Sequence, residues 1–196
     1  MTSAHDVAAA LLDRLGEMTT TKLENLVYYC QSWHLARHGS PLFGEEIEAW
    51  REGPVVHPLY KRYRQAYAVG CWPWGDPAEL GDDQRATVEW VVDRYGSISA
   101  EQLSRMTHAE APWRAARAGL PDNAQSEAPV SRDLMGSYYA RQCSDVETAV
   151  ASAAANAALG GVALDAEWQN RLRGVAVGGT SADALIADEV SRVRRD

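Results

Sequence analysis

The chain has 196 residues and is 46% apolar, enough for one cored domain with a small appendage and too much for wholesale disorder. Its formal net charge of −8 opposes binding to a phosphate backbone, and no run is apolar enough to span a bilayer. Three scattered cysteines, Cys30, Cys71 and Cys143, make neither a disulfide framework nor a CxxC metal pair, so a reducing cytoplasm is the expected setting.

Val7, Leu11, Leu12 and Leu15 recur at helical spacing after a Ser3-to-Asp6 capping box, and Gly16 stops that helix. A second capping box is read at Thr21 and Glu24. Leu23, Leu26, Val27, Cys30, Trp33 and His34 then form a wide apolar face, closed by Gly39. This is the expected central helix.

From Pro41 to Pro58 the helical pattern breaks. Ile47, Ala49 and Trp50, followed by Gly53, Pro54, Val55 and Val56, predict a short hairpin whose turn presents Trp50 and Val55. Helical texture returns at Leu59, Tyr60, Tyr63 and Tyr67. Cys71 to Gly81 reads as a loop. Val88, Val91, Val92 and Tyr95 mark another helix, and Ser99 with Gln102 caps a short one.

Pro112 fits the first turn of a helix holding Trp113, which Gly119 and Pro121 end. Residues 121–130 read as a loop, and a helix carrying Leu134, Met135, Tyr138 and Tyr139 follows. Near residue 144 the composition shifts to small side chains. Residues 1–143 are therefore read as a mainly α domain with a small β-hairpin. Residues 144–196 are read as a module of three short helices, the second at about 165 to 177 and the third at about 181 to 194. The Lys/Arg-rich run Arg192, Arg194 and Arg195 complements the dipole of that last helix.

The search for chemistry returns little. His34 and His38 have zinc-helix spacing, but Leu35 stands where a metalloprotease carries Glu. Cys30 and His34 lie one turn apart on a face that reads as packing. His108 lacks a nucleophile and an orienting acid in the sequence around it. Phosphate-binding glycine motifs are absent. No metal, cofactor or catalytic residue is expected.

Three ordered patterns carry a family resemblance. They are Lys22 to Tyr29 with Trp33, His34, Leu35 and Ala36; Glu48 to Val56 with Tyr60; and Leu103 to His108 through Pro112 and Trp113, followed by Tyr138 and Tyr139. Together they resemble the Panacea domain of phage- and bacteria-borne antitoxins, over about residues 5 to 142. That resemblance implies a non-enzymatic protein that neutralises a toxin by direct binding. Trp33, His34, Trp50, Gly53, Pro54, Val55, Tyr60, His108 and Trp113 become scaffold or partner-binding candidates. His34, Trp50, His108 and Trp113 are expected in one polar–aromatic cluster that holds the hairpin on the helices.

Residues about 146 to 195 resemble the small three-helix antitoxins of Fic-type adenylyltransferases, on Leu164, Asp165, Arg173 to Val175, and Gly178 to Asp183. That family's inhibitory motif sets a Glu before a Gly or Asn; aligned on Gly161, this chain has Asn156 and Gly160 in the Ser/Thr and Glu places. The expected partner is a toxin protein, with a Fic-type enzyme as the narrower expectation. Alternatives are an adaptor that delivers a toxin to a protease, and a hydrolase centred on His34 and His108.

Overall fold

Ser3 starts the fold. Its backbone is extended, its hydroxyl accepts the Asp6 amide at 3.4 Å, and the Asp6 carboxylate accepts the Ser3 amide at 2.8 Å. This reciprocal cap satisfies two amides that the first helical turn leaves open. It launches α1 (Ala4–Leu15), which Gly16 ends at a φ of +71°. The computed structural model describes residues 2–121, 123–159, 163–176 and 185.

After β1 (Met18–Thr19), helix α2 (Thr20–His38) is capped by Thr19, whose hydroxyl accepts the Lys22 amide at 3.3 Å. The expected box at Thr21 and Glu24 does not form, because Glu24 is drawn inward to other donors. Every residue from Leu23 to His34 is buried, and α2 packs against α1, α4, α5 and β3. A helix buried on all sides is the centre of its domain. Gly39 ends it in the left-handed region.

The hairpin is β2 (Glu48–Trp50) and β3 (Gly53–Val55), antiparallel, with Glu48 opposite Val55 and Trp50 opposite Gly53. Then come α3 (His57–Tyr63) and β4 (Ala68–Val69), which pairs antiparallel with β1 in a second short ladder the sequence did not suggest. Tyr67 lies beyond the end of α3 rather than on it. A 3-10 turn (Pro77–Glu79) leads into α4 (Asp82–Tyr95), α5 (Ala100–Ala109) and α6 (Ala111–Ala116).

The segment before α7 is more than a loop. Ala49 donates to the Ala128 carbonyl at 2.8 Å and Val130 donates to that of Ile47 at 2.7 Å, with Pro129 bridged to Glu48. The segment thus lies along β2 as a third strand-like piece, and Pro129 needs no amide because it sits on the outer edge.

The chain divides into two compact units, Met1–Ala140 and Arg141–Asp196. Helix α7 (Arg132–Leu159) continues through that boundary, so the composition shift near 144 does not break the helix. In the second unit α8 (Ala166–Ala176) is capped by Asp165, which accepts the Trp168 amide at 2.8 Å. Gly160, Gly161 and, apart from Leu185, the third helix read at about 181 to 194 lie outside the described residues. Among the described residues, no helix is long and apolar enough to cross a membrane.

The fold is mainly α with a small hairpin. The core of the first unit explains why Tyr and Trp displace Phe. Tyr29 stacks on Tyr95 at 4.2 Å, Trp33 meets Tyr139 edge-on at 4.9 Å, and the Trp33 indole donates to the Tyr95 hydroxyl at 3.0 Å. Such rings fill volume while their polar tips find partners inside.

Candidate functional site

The hairpin is seated on the helices by polar anchors. Glu24 on α2 accepts the Val56 amide at 2.9 Å and the Tyr63 hydroxyl at 2.6 Å, tying the end of β3 and helix α3 to the central helix. Asn25 donates to the Thr21 carbonyl at 2.8 Å and accepts the Thr107 hydroxyl at 3.1 Å. Gly53 lies over this pair. A Cβ there would come within 3.6 Å of the Asn25 amide oxygen, and its φ of +135° is one that side chains disfavour.

From the other side, the Trp113 indole donates to the Trp50 carbonyl at 3.2 Å, and Arg117 donates to that of Ala49 at 3.1 Å. The Arg117 guanidinium also donates to the Pro121 and Ala124 carbonyls, at 2.8 Å each, and lies 4.7 Å from the Trp113 ring. One buried cation therefore gathers β2 and the segment after α6. His108 stacks on Trp113 at 4.1 Å.

His108 and Trp113 thus stack as expected and Trp113 holds the Trp50 backbone, but the Trp50 ring turns to Tyr60 and His57, and His34 joins neither group. It points to α4, with Nδ1 2.9 Å from the Thr87 hydroxyl oxygen. The Thr87 hydroxyl also lies 2.9 Å from the Asp83 carbonyl, which ties His34 to the first turn of α4. Burial, then the charge of stacked His38, pushes the His34 pKa down to about 4. This histidine is a neutral helix-packing residue near pH 7. Burial also raises the Cys30 thiol, which removes its nucleophilic form.

Val55 is corrected as well. It is buried with Gly53 and Pro54 rather than presented by the turn. The half-exposed rings are Trp50 and Tyr60, in edge contact at 4.7 Å. The Trp50 indole donates to Glu48 at 2.6 Å, and His57 Nδ1 lies 3.6 Å from the same carboxylate. Trp33 is core. Asn156 is exposed on α7 in the second unit.

Two carboxyls are buried against expectation: Glu24, read from the sequence as a capping residue, and Glu110, which the sequence did not single out. Burial raises the pKa of Glu24 to about 8 and that of Glu110 to about 7, against the opposing effect of their hydrogen-bond donors. Glu110, at the α5–α6 junction, accepts hydroxyls from Tyr28 at 3.4 Å, Tyr29 at 3.1 Å and, at short range, Tyr139. Three tyrosines on α2 and α7 thereby converge on one acid. Among the described residues no group of three His, Cys, Asp or Glu side chains is placed to hold a metal ion.

These anchors fall within one recognisable segment. Residues 23–114 match the family model for the antitoxin SocA-like, Panacea domain. The Panacea match runs from Leu23 on α2 to Arg114 on α6, and so contains the hairpin, α3, α4 and α5. It is shorter than the resemblance read over about residues 5 to 142. Arg117 and Tyr139 lie beyond it yet complete the seating of the hairpin and the Glu110 cluster. Comparison with curated proteins and with solved structures gives no match.

Proposed function

We propose that this chain is an antitoxin that silences a cognate toxin protein in the cytoplasm by binding it directly. The match of residues 23–114 to SocA-like antitoxins carries the reading. The anchored hairpin supports it. Trp50 and Tyr60 stand half-exposed on backbone held by Glu24, Trp113 and Arg117, and rigid aromatic rings lose little conformational freedom when a partner covers them. A stable complex would bury on the order of 1,600 Å². Within this reading, the resemblance of residues about 146 to 195 makes a Fic-type adenylyltransferase the narrower candidate target, with Asn156 as an exposed contact residue of the second unit.

Co-expression with the toxin encoded beside this chain tests the proposal. Growth is restored and the toxin persists as an inactive, co-purifying protein. Rapid loss of the toxin would point instead to delivery to a protease, and failure to restore growth would end the reading.

A further inference from the structure

An aromatic ladder crosses α3. Trp50 meets Tyr60 at 4.7 Å, Tyr60 meets Tyr63 at 5.7 Å, Tyr63 meets Trp72 at 6.4 Å, and Trp72 meets Trp74 at 5.2 Å. Tyr63 and Trp72 are buried, Trp50 and Tyr60 are half-exposed, and Trp74 surfaces. Trp74 is 45% exposed, and Tyr67, just past α3, is 84% exposed. Scattered exposed apolar groups need no explanation, but these stand on fixed backbone. The Tyr67 carbonyl accepts the Thr20 amide at 3.0 Å, and Asp76 donates to the Asp6 carboxylate at 2.8 Å. Gly75 lies so close to α1 that a Cβ would come within 2.1 Å of the His5 carbonyl oxygen. The backbone that carries Trp74 is therefore held against α1.

The rim of this surface is basic on a chain whose net charge is −8. Lys61, Arg62 and Arg64 are all exposed, and Arg62 sits 5.3 Å from the Trp74 ring centroid. Among the described residues none of the three has a carboxylate at ion-pair distance. Cations in the last turn of a helix complement its dipole, but that does not account for fixed, exposed rings beside them.

We infer that the surface around Arg62 and Trp74, flanked by Lys61, Arg64 and Tyr67 on and just past α3, docks an acidic protein segment whose carboxylates meet the cations and whose apolar side chains cover the rings. Charge complementarity selects this occupant. A second copy of the chain would add its own −8. Three cations neutralise too few phosphates to hold a nucleic acid against the same field. The assignment rests on the proposed toxin binding, and makes this surface part of the toxin's contact.

The test uses the full chain with the toxin encoded beside it, and two double variants, Arg62→Glu with Arg64→Glu and Tyr67→Ala with Trp74→Ala. Both replace exposed side chains and are expected to keep the thermal midpoint. Each is expected to weaken toxin binding by about tenfold or more, the loss typical of an interface anchor. High salt is expected to weaken the wild type and to spare the charge-reversed variant. If the wild type binds the toxin and both variants bind equally well, this surface is not the contact and the antitoxin reading stands. If the wild type does not bind the toxin, that reading fails, and the surface is judged by a twelve-residue peptide of alternating Glu and Leu against a twelve-residue oligothymidylate. Binding of the peptide that the variants lose sustains the acidic-segment assignment. Binding of the oligonucleotide alone, or of neither, overturns it.

Discussion

Glu24 reaches from the second turn of α2 to accept the Val56 amide at 2.9 Å, so one buried carboxyl on the central helix fixes where the hairpin hands over to α3. Removing it leaves that amide and the Tyr63 hydroxyl without their acceptor. Glu24→Ala is expected to cost about 2–6 kcal/mol, given about 1–3 kcal/mol for each buried group left unsatisfied. Glu24→Gln keeps an acceptor oxygen and is expected to cost less than half as much. Urea unfolding of the two variants beside the wild type measures both.

Stability should fall as pH rises from about 6.5 to about 8. Glu24 and Glu110 have folded pKa values raised to about 8 and about 7, above the unfolded value near 4.5. Their contribution is therefore fully present below the unfolded pKa and is lost as pH rises through the folded ones. His34 acts oppositely. Its folded pKa is lowered to about 4, so its contribution is present above 6.5 and lost on acidification. Burial lowers the His5 pKa as well, so two histidines offset the two acids below pH 6.5 and the net decline is read above it. Glu24→Gln is expected to flatten the decline above pH 7, a change read from urea midpoints at pH 5, 7 and 8.5.

Gly75→Ala is expected to destabilise by about 1–3 kcal/mol, the usual cost of overpacking. Its Cβ would lie 2.1 Å from the His5 carbonyl oxygen, which belongs to backbone and cannot swing aside. Gly44→Ala, where nothing lies within 4 Å, is the control and is expected to be near neutral. Thermal melts of the pair decide it.

Arg117→Met removes the guanidinium that binds the Ala49, Pro121 and Ala124 carbonyls. A loss of about 2–4 kcal/mol is expected, since charge-assisted bonds to buried acceptors disappear together. Arg117→Lys is expected to recover little, because an ammonium lacks the planar fork that reaches separate carbonyls. Amide exchange in residues 47–50 is expected to quicken in both variants.

The helices were legible where the local signal is strong. Ser3 with Asp6, Ser99 with Gln102, Gly16 and Gly39 mark ends through caps that involve only neighbours in sequence. The Thr21–Glu24 pattern misled because it has the right spacing, while tertiary donors 32 and 39 residues away claim the Glu24 carboxyl. Residues 128–130 looked like loop because their pairing with β2 depends on a contact made far along the chain. His34 was grouped with Trp50 and His108 by residue type. Its helical phase instead turns it to Thr87 on α4. The basic rim of the ladder was missed because Lys61, Arg62 and Arg64 sit among tyrosines and end a short helix, where a search for runs of charge finds no block.

The most direct measurement titrates the purified chain into the purified toxin, following toxin activity and complex formation together by size-exclusion chromatography. Activity is expected to fall in step with a stoichiometric complex, to zero once all toxin is bound. Full toxin activity inside a formed complex, or inhibition with no complex at micromolar concentration, would contradict neutralisation by direct binding.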